Sequence, residues 1–133
     1  MSELTLIEVG DTPKWRTFAQ PELGLSWSVS PGEWTVVGDR PSGEVVDLTS
    51  VRAMFRLSGE QSADLLNKIC ALNLSDTTFP DGSSARTLVA GVATELVRYD
   101  QNDILSYLIL PSRSFSRYME ETLRDAGLEF GLT

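Results

Sequence analysis

The stretch from Val45 to Leu74 constrains the fold more than any other. In Val51 to Leu57 the residues Val51, Ala53, Phe55 and Leu57 alternate with Arg52, Met54 and Arg56. That period of two describes a half-buried strand. Val45-Val46-Asp47-Leu48 just before it also reads as extended chain. Ser58-Gly59-Glu60-Gln61 then has the form of a capping box, which would satisfy orphan amides at a helix start. Ala63, Leu65, Leu66, Ile69 and Cys70 follow at helical spacing as one apolar stripe. A strand followed by a one-faced helix must bury that face, so the unit needs a sheet to pack against.

The rest of the chain supplies the sheet. Residues 1–20 are mixed in character: Leu4, Leu6, Ile7 and Val9 suggest a short strand, ended by Gly10-Asp11-Thr12-Pro13. This segment is expected to be an arm, held loosely until something docks on it. Leu25, Trp27 and Val29 alternate with serines, Ser30-Pro31-Gly32-Glu33 supplies a turn, and Trp34 to Val37 resumes the extended pattern, giving a hairpin. Ser75 to Ser83 is a long polar loop with Phe79 at its centre, read as a connection anchored by that ring in preference to a binding loop. Arg86 to Ala90 and Val92 to Tyr99 are predicted strands meeting at Gly91, where a bulge or tight bend is expected, and Ile104 to Leu110 is a strongly apolar third. The last helix carries Phe115, Tyr118, Met119, Thr122, Leu123 and Ala126 on one face, a Glu120–Arg124 pair on the other, and Gly127 as an expected left-handed end. Strands joined by short turns, with two helices, predict one α+β domain over 1–133, its sheet largely antiparallel.

Composition narrows the chemistry. The chain has 133 residues, a formal charge of -8, one cysteine and no histidine. That charge disfavours phosphate backbones and anionic membranes as partners. Arg52 and Arg56 share a strand face and are expected to meet Asp or Glu, from within the domain or from a partner. A lone cysteine fits a reducing, cytoplasmic compartment, and Cys70 on its apolar stripe reads as a packing thiol. No signal-peptide or membrane-span pattern is present. Without histidine there is no Ser-His-Asp triad, no Cys-His pair and no familiar zinc site. No nucleotide-binding glycine motif appears, and Asp100 and Asp103 around a turn read as solvated carboxylates. Trp27, Trp34 and Tyr99 offer a flat platform for a folate or flavin, but core packing is the preferred reading. No catalytic, cofactor-binding or metal-binding residue is assigned.

Four phrases resemble one family, the gamma subunits of heterotetrameric sarcosine oxidase. They are Ser30 to Gly38 with its Pro-Gly-Glu-Trp core; Val46-Asp47-Leu48-Thr49 with Arg56-Leu57-Ser58-Gly59; Cys70 to Leu74 with Phe79-Pro80-Asp81-Gly82 and Arg86-Thr87-Leu88; and Pro111 to Tyr118, with Glu129-Phe130-Gly131 near the end. Order and spacing agree from Trp27 to Gly131. Asn73 stands where the family usually has aspartate, Ser112 interrupts a Pro-Arg pairing, and the portion before Trp27 is shorter. A related complex, such as an N-methylglutamate dehydrogenase, fits those departures.

The resemblance implies a fold similar to the folate-binding, aminomethyltransferase-like domain. It implies an accessory, non-catalytic subunit packed on a larger alpha-like flavoprotein. Other subunits would hold FAD, FMN, NAD and tetrahydrofolate, oxidise an N-methyl amine and pass on the one-carbon unit. The partner-binding candidates are Trp27, Trp34 and Phe79, whose rings exceed what a small core easily buries, together with the arm over 1–20. A stand-alone folate- or pterin-binding module is the alternative. An aminomethyltransferase relic is a third reading, disfavoured because the chain is half the size of such a catalyst.

Overall fold

Strand β9 (Ser106–Pro111) is buried at every position, and this organises the molecule. Tyr107 and Ile109 enter one apolar core, while Leu108 and Leu110 enter a second on the opposite face. A strand covered on both sides reads as a continuous apolar run, which is how Ile104 to Leu110 appears in the sequence. The computed structural model describes residues 3–10, 12–21 and 25–132. Its strands are β1 (Thr5–Glu8), β2 (Lys14–Thr17), β3 (Leu25–Ser30), β4 (Glu33–Val37), β5 (Val45–Asp47), β6 (Phe55–Ser58), β7 (Ser84–Val89), β8 (Val92–Arg98) and β9. They form a five-stranded sheet ordered β1-β6-β9-β8-β7 and a four-stranded sheet ordered β3-β4-β2-β5. Every ladder is antiparallel.

Helices α1 (Ser62–Asn67) and α2 (Ser116–Gly127) contribute Leu65, Leu66, Met119, Leu123 and Ala126 to the core on one face of the large sheet. On its other face Trp27 packs with Met54, Val97, Leu108 and Leu110. The result is three layers: helices, large sheet, small sheet. The α+β class with antiparallel pairing and two α-helices agrees with the sequence; the division into two sheets is new.

The expected loose arm is instead two strands in two different sheets. Leu6 lies opposite Leu57, and Leu4 and Leu6 are buried, so β1 forms an edge of the large sheet. Strand β2 lies between β4 and β5 in the small one. Two inward leucines are a weak local signal; what orders them is pairing with distant strands. Met1, Ser2 and Asp11 of this segment lie outside the described residues.

Helix starts and stops also differ from expectation. Ser58 ends β6 and its hydroxyl donates to the Ser106 hydroxyl at 3.2 Å, so it caps nothing. Helix α1 begins at Ser62 and is only six residues long. The predicted strand over Val51 to Leu57 shortens to β6, since Val51 lies in an exposed turn, while Met54 enters the second core as the alternation implies. Gly127 stays inside α2 with φ −84°, and the left-handed residue is Gly131 at φ 86°. Gly127 is needed for space: a Cβ there would sit 2.5 Å from Leu132 Cδ2. Ala90 and Gly91 both have positive φ, making a tight hairpin turn between β7 and β8 where a bend was expected. Cys70 is buried beyond the end of α1, bridging to Val89. Cys70→Ser should lower stability by about 1–2 kcal/mol by burying a poorly satisfied hydroxyl. Urea denaturation measures it, and native Cys70 should react slowly with a thiol reagent.

Candidate functional site

The aromatic residues singled out from the sequence do not converge. Trp27 lies opposite Thr35 and Trp34 opposite Ser28, so the two indoles occupy opposite faces of the β3–β4 hairpin. Trp27 is buried between the sheets, and Trp34 is half-buried. Phe79 is buried against Tyr107, with ring centroids 6.4 Å apart. Tyr99 lies past the end of β8 and is exposed, and it stacks on neither tryptophan. The premise that Trp27 and Phe79 are surplus to a small core is therefore corrected: two cores, one on each face of the large sheet, absorb them. Phe115 and Tyr118, assigned to the covered face of α2, are 47% and 48% exposed. Only the Met119, Leu123 and Ala126 side of that stripe is covered, because a helix on a sheet buries a narrower arc than its apolar residues span.

The loop around Phe79 is fastened from β8. Arg98 donates from Nε and an Nη to the two oxygens of Asp100 at 3.1 and 3.0 Å, and to the Phe79 carbonyl at 3.1 Å. Asp76 takes a further ion pair from Arg98, and these carboxylates raise the guanidinium pKa further. Asp100 is thus a structural anion rather than a solvated turn residue. Among the described residues no group of three His, Cys, Asp or Glu side chains is placed to hold a metal ion.

Tyr107 lies above this clamp with its hydroxyl buried and without a hydrogen-bond partner among the described residues. Burial pushes its pKa up to about 12. The neutral ring is favoured in the folded state, so its stabilising contribution is complete below the unfolded value of about 10 and is lost as pH rises through about 12. Tyr107→Phe should leave stability at neutral pH unchanged or slightly higher, and should reduce the fall between pH 10 and 12. Thermal melts across that range measure both.

Sequence reasoning missed the most heavily buried polar cluster. Glu95 projects from β8 towards the small sheet, where its Oε1 accepts from Thr35 Oγ1 at 2.8 Å and Trp27 Nε1 at 3.2 Å. An Nη of Arg16 lies 3.5 Å from Oε2 and donates to Thr35 Oγ1 at 3.2 Å. Burial pulls the Arg16 guanidinium below its ordinary value, and Glu95 opposes that shift. One carboxylate in an apolar strand was the available signal, but its direction depends on a sheet that the sequence did not separate. The cluster binds the two sheets to each other across their core.

At the edge of this cluster opens a cleft of about 260 Å³, lined by Arg52, Arg86, Thr87, Leu88, Ala93, Thr94 and Glu95. Arg86 pairs with Glu33 at 3.6 Å. Neither Arg52 nor Arg56 has an ion-pair partner among the described residues, so the expected carboxylates from within the domain are not there. A larger cleft of about 450 Å³ runs along the small sheet between Thr17 and Ser42, with Asp39 and Arg40 on its wall and no aromatic ring lining it. Among the described residues no helix is long and apolar enough to cross a membrane.

No protein-family model matches the chain. The sarcosine oxidase subunit gamma of Corynebacterium sp. strain P-1 is 33% identical to it over 94 residues, or 71% of this chain. The corresponding subunit of strain U-96 is 32% identical over 94 residues. Both of these sequence homologues of the chain are sarcosine oxidase gamma subunits. The matched region spans 44% of the length of each of these relatives. A chain of the heterotetrameric sarcosine oxidase from Corynebacterium sp. U-96, solved in complex with pyrrole 2-carboxylate, shares the fold with a TM-score of 0.81. That superposition covers 98% of this chain and 86% of the other at 22% identity. The shared fold therefore reaches into the N-terminal strands, beyond the resemblance over Trp27 to Gly131.

Proposed function

We propose that this chain is an accessory, non-catalytic subunit of a flavin-dependent N-methyl amine oxidoreductase of the sarcosine oxidase type. The observation that carries the reading is its 33% identity to a sarcosine oxidase gamma subunit over 71% of the chain. In this reading a larger alpha-like flavoprotein is its partner, in the cytoplasm. The other subunits hold FAD, FMN, NAD and tetrahydrofolate, demethylate the amine and transfer its one-carbon unit. Arg16 and Glu95 then serve the fold rather than a reaction, since each is occupied by the other and by Thr35 or Trp27.

The docking surface has to be sought among exposed rings. Trp34, half-exposed on the outer face of the hairpin, remains a candidate, and Phe115 and Tyr118 join it. A stand-alone folate or pterin module would need a flat platform, and no aromatic ring lines either cleft. Co-expression with large flavoprotein subunits, followed by size-exclusion chromatography, tests the proposal. Co-elution is expected, with all flavin absorbance in the large subunits. Stoichiometric flavin on the isolated chain, or amine oxidation by it, would sink the reading.

A further inference from the structure

Arg52 is the guanidinium lining the smaller cleft that has no counter-ion among the described residues. Its Nε is buried with no hydrogen-bond partner among the described residues, and an Nη reaches only the Leu110 carbonyl, at 3.4 Å. Three arginines and two glutamates share this corner, since Arg52, Arg86, Glu33 and Glu95 all act electrostatically on Arg16. Glu95 is taken by Arg16 and Glu33 by Arg86. One positive charge is left over, facing a cleft, in a chain whose formal charge is -8.

The cleft is formed by strand register. Leu88 pairs with Ala93 and Arg86 with Glu95 across the β7–β8 ladder, so these four residues lie on one face of the large sheet. Glu95 is covered by the small sheet, but Ala93 and Leu88 are exposed, Leu88 at 59%. Arg52 joins from the side through its bridge to Ser112, which follows β9. The cleft thus sets two guanidiniums beside an exposed leucine and alanine, with Thr87, Thr94 and Glu95 completing its lining.

We propose that this cleft is a carboxylate-binding site, taking a monoanionic acid carried on a short apolar group. A guanidinium fork matches the two oxygens of a carboxylate. A single negative charge balances the surplus of one, whereas a dianion would leave one negative charge uncompensated beside Glu95. The apolar stem of the ligand would cover Leu88 and Ala93. A free short-chain acid and a polypeptide carboxylate beside an apolar residue offer the same chemistry. The inference is independent of the accessory-subunit reading, because binding is measured on the isolated full chain.

The test is a titration of that chain with sodium propionate at constant ionic strength, against sodium chloride, followed by amide NMR. Saturable shifts at Leu88, Ala93 and Thr94 are expected, with a Kd on the order of millimolar. Arg52→Gln should weaken binding by about tenfold or more, and Arg52→Lys by less, because lysine keeps the charge and loses only the fork. Leu88→Glu, at an exposed position, should abolish binding with no loss of thermal stability, by offering the cleft a carboxylate of its own. It carries the test if Arg52→Gln fails to fold. Shifts no different from those with chloride, or unchanged in both Arg52→Gln and Leu88→Glu, overturn the proposal. Where propionate binds, assembly of the same variants with co-expressed large subunits assigns the source. Unchanged assembly indicates a free acid, and weakened assembly that propionate also inhibits indicates a partner's side chain.

Discussion

Gly59→Ala is expected to dislodge β1 and to lower stability by about 3 kcal/mol or more. Two effects combine at this position. The backbone sits at φ +127°, a region that L side chains rarely adopt. An added Cβ would also lie 2.8 Å from the Glu3 carbonyl oxygen and 2.9 Å from Leu4 Cα, both backbone atoms that move only with the whole strand. Gly91→Ala is the control, since φ there is +80° but nothing lies within 4 Å of its Cβ position. It should cost only about 1 kcal/mol. Urea midpoints give the difference, and hydrogen exchange at Ile7 and Val9 reports directly on β1. Equal midpoints for the two variants would mean that the contact with β1 is not what constrains Gly59.

Glu95→Ala should cost about 3–5 kcal/mol, because it leaves the Arg16 charge buried without its partner. The Trp27 N–H and the Thr35 hydroxyl lose their acceptor in the same step. The companion experiment is the double variant Arg16→Met/Glu95→Leu. Replacing both charges with apolar groups removes the desolvation cost along with the attraction, so stability should recover to within about 1–2 kcal/mol of the parent. If the double variant were as unstable as the single one, the cluster would act through shape and hydrogen bonds, not through charge pairing. Melting curves of the three proteins separate these outcomes.

Residues whose partners are close in sequence were legible before the structure. The β3–β4 hairpin follows from the alternation around Ser30 to Glu33, and the two strands β7 and β8 from the runs on either side of Gly91. The buried side of α2 follows from Met119, Leu123 and Ala126. What escaped depends on distant pairings. Strand β1 is ordered by β6, and no local pattern in Leu4 to Val9 reveals a partner near Leu57. Glu95 and Met54 look unremarkable, and Trp27 looks surplus to the core, until two sheets are stacked, since period-two alternation separates two faces without saying what covers each. Phe115 and Tyr118 show the converse error, where an apolar stripe was taken as wholly covered. The candidate site was the least legible part. Arg52 was noticed as a charge in a strand, but its lack of a counter-ion is a property of the folded arrangement alone.

The placement of β6 between β1 and β9 has a consequence for how the chain is made. Phe55 pairs with Glu8 on one side and Ile109 on the other, so one neighbour leaves the ribosome well before it and the other well after. Until β9 is synthesised, Phe55, Leu57 and the leucines of α1 have no complete sheet or second helix to shelter them. The hairpins can close early, within microseconds of emerging, but the central ladder must wait. Long-range β pairing of this kind folds in milliseconds to seconds, and its exposed intermediates are prone to aggregate. Slowing translation before Ser106 should therefore lower the soluble yield.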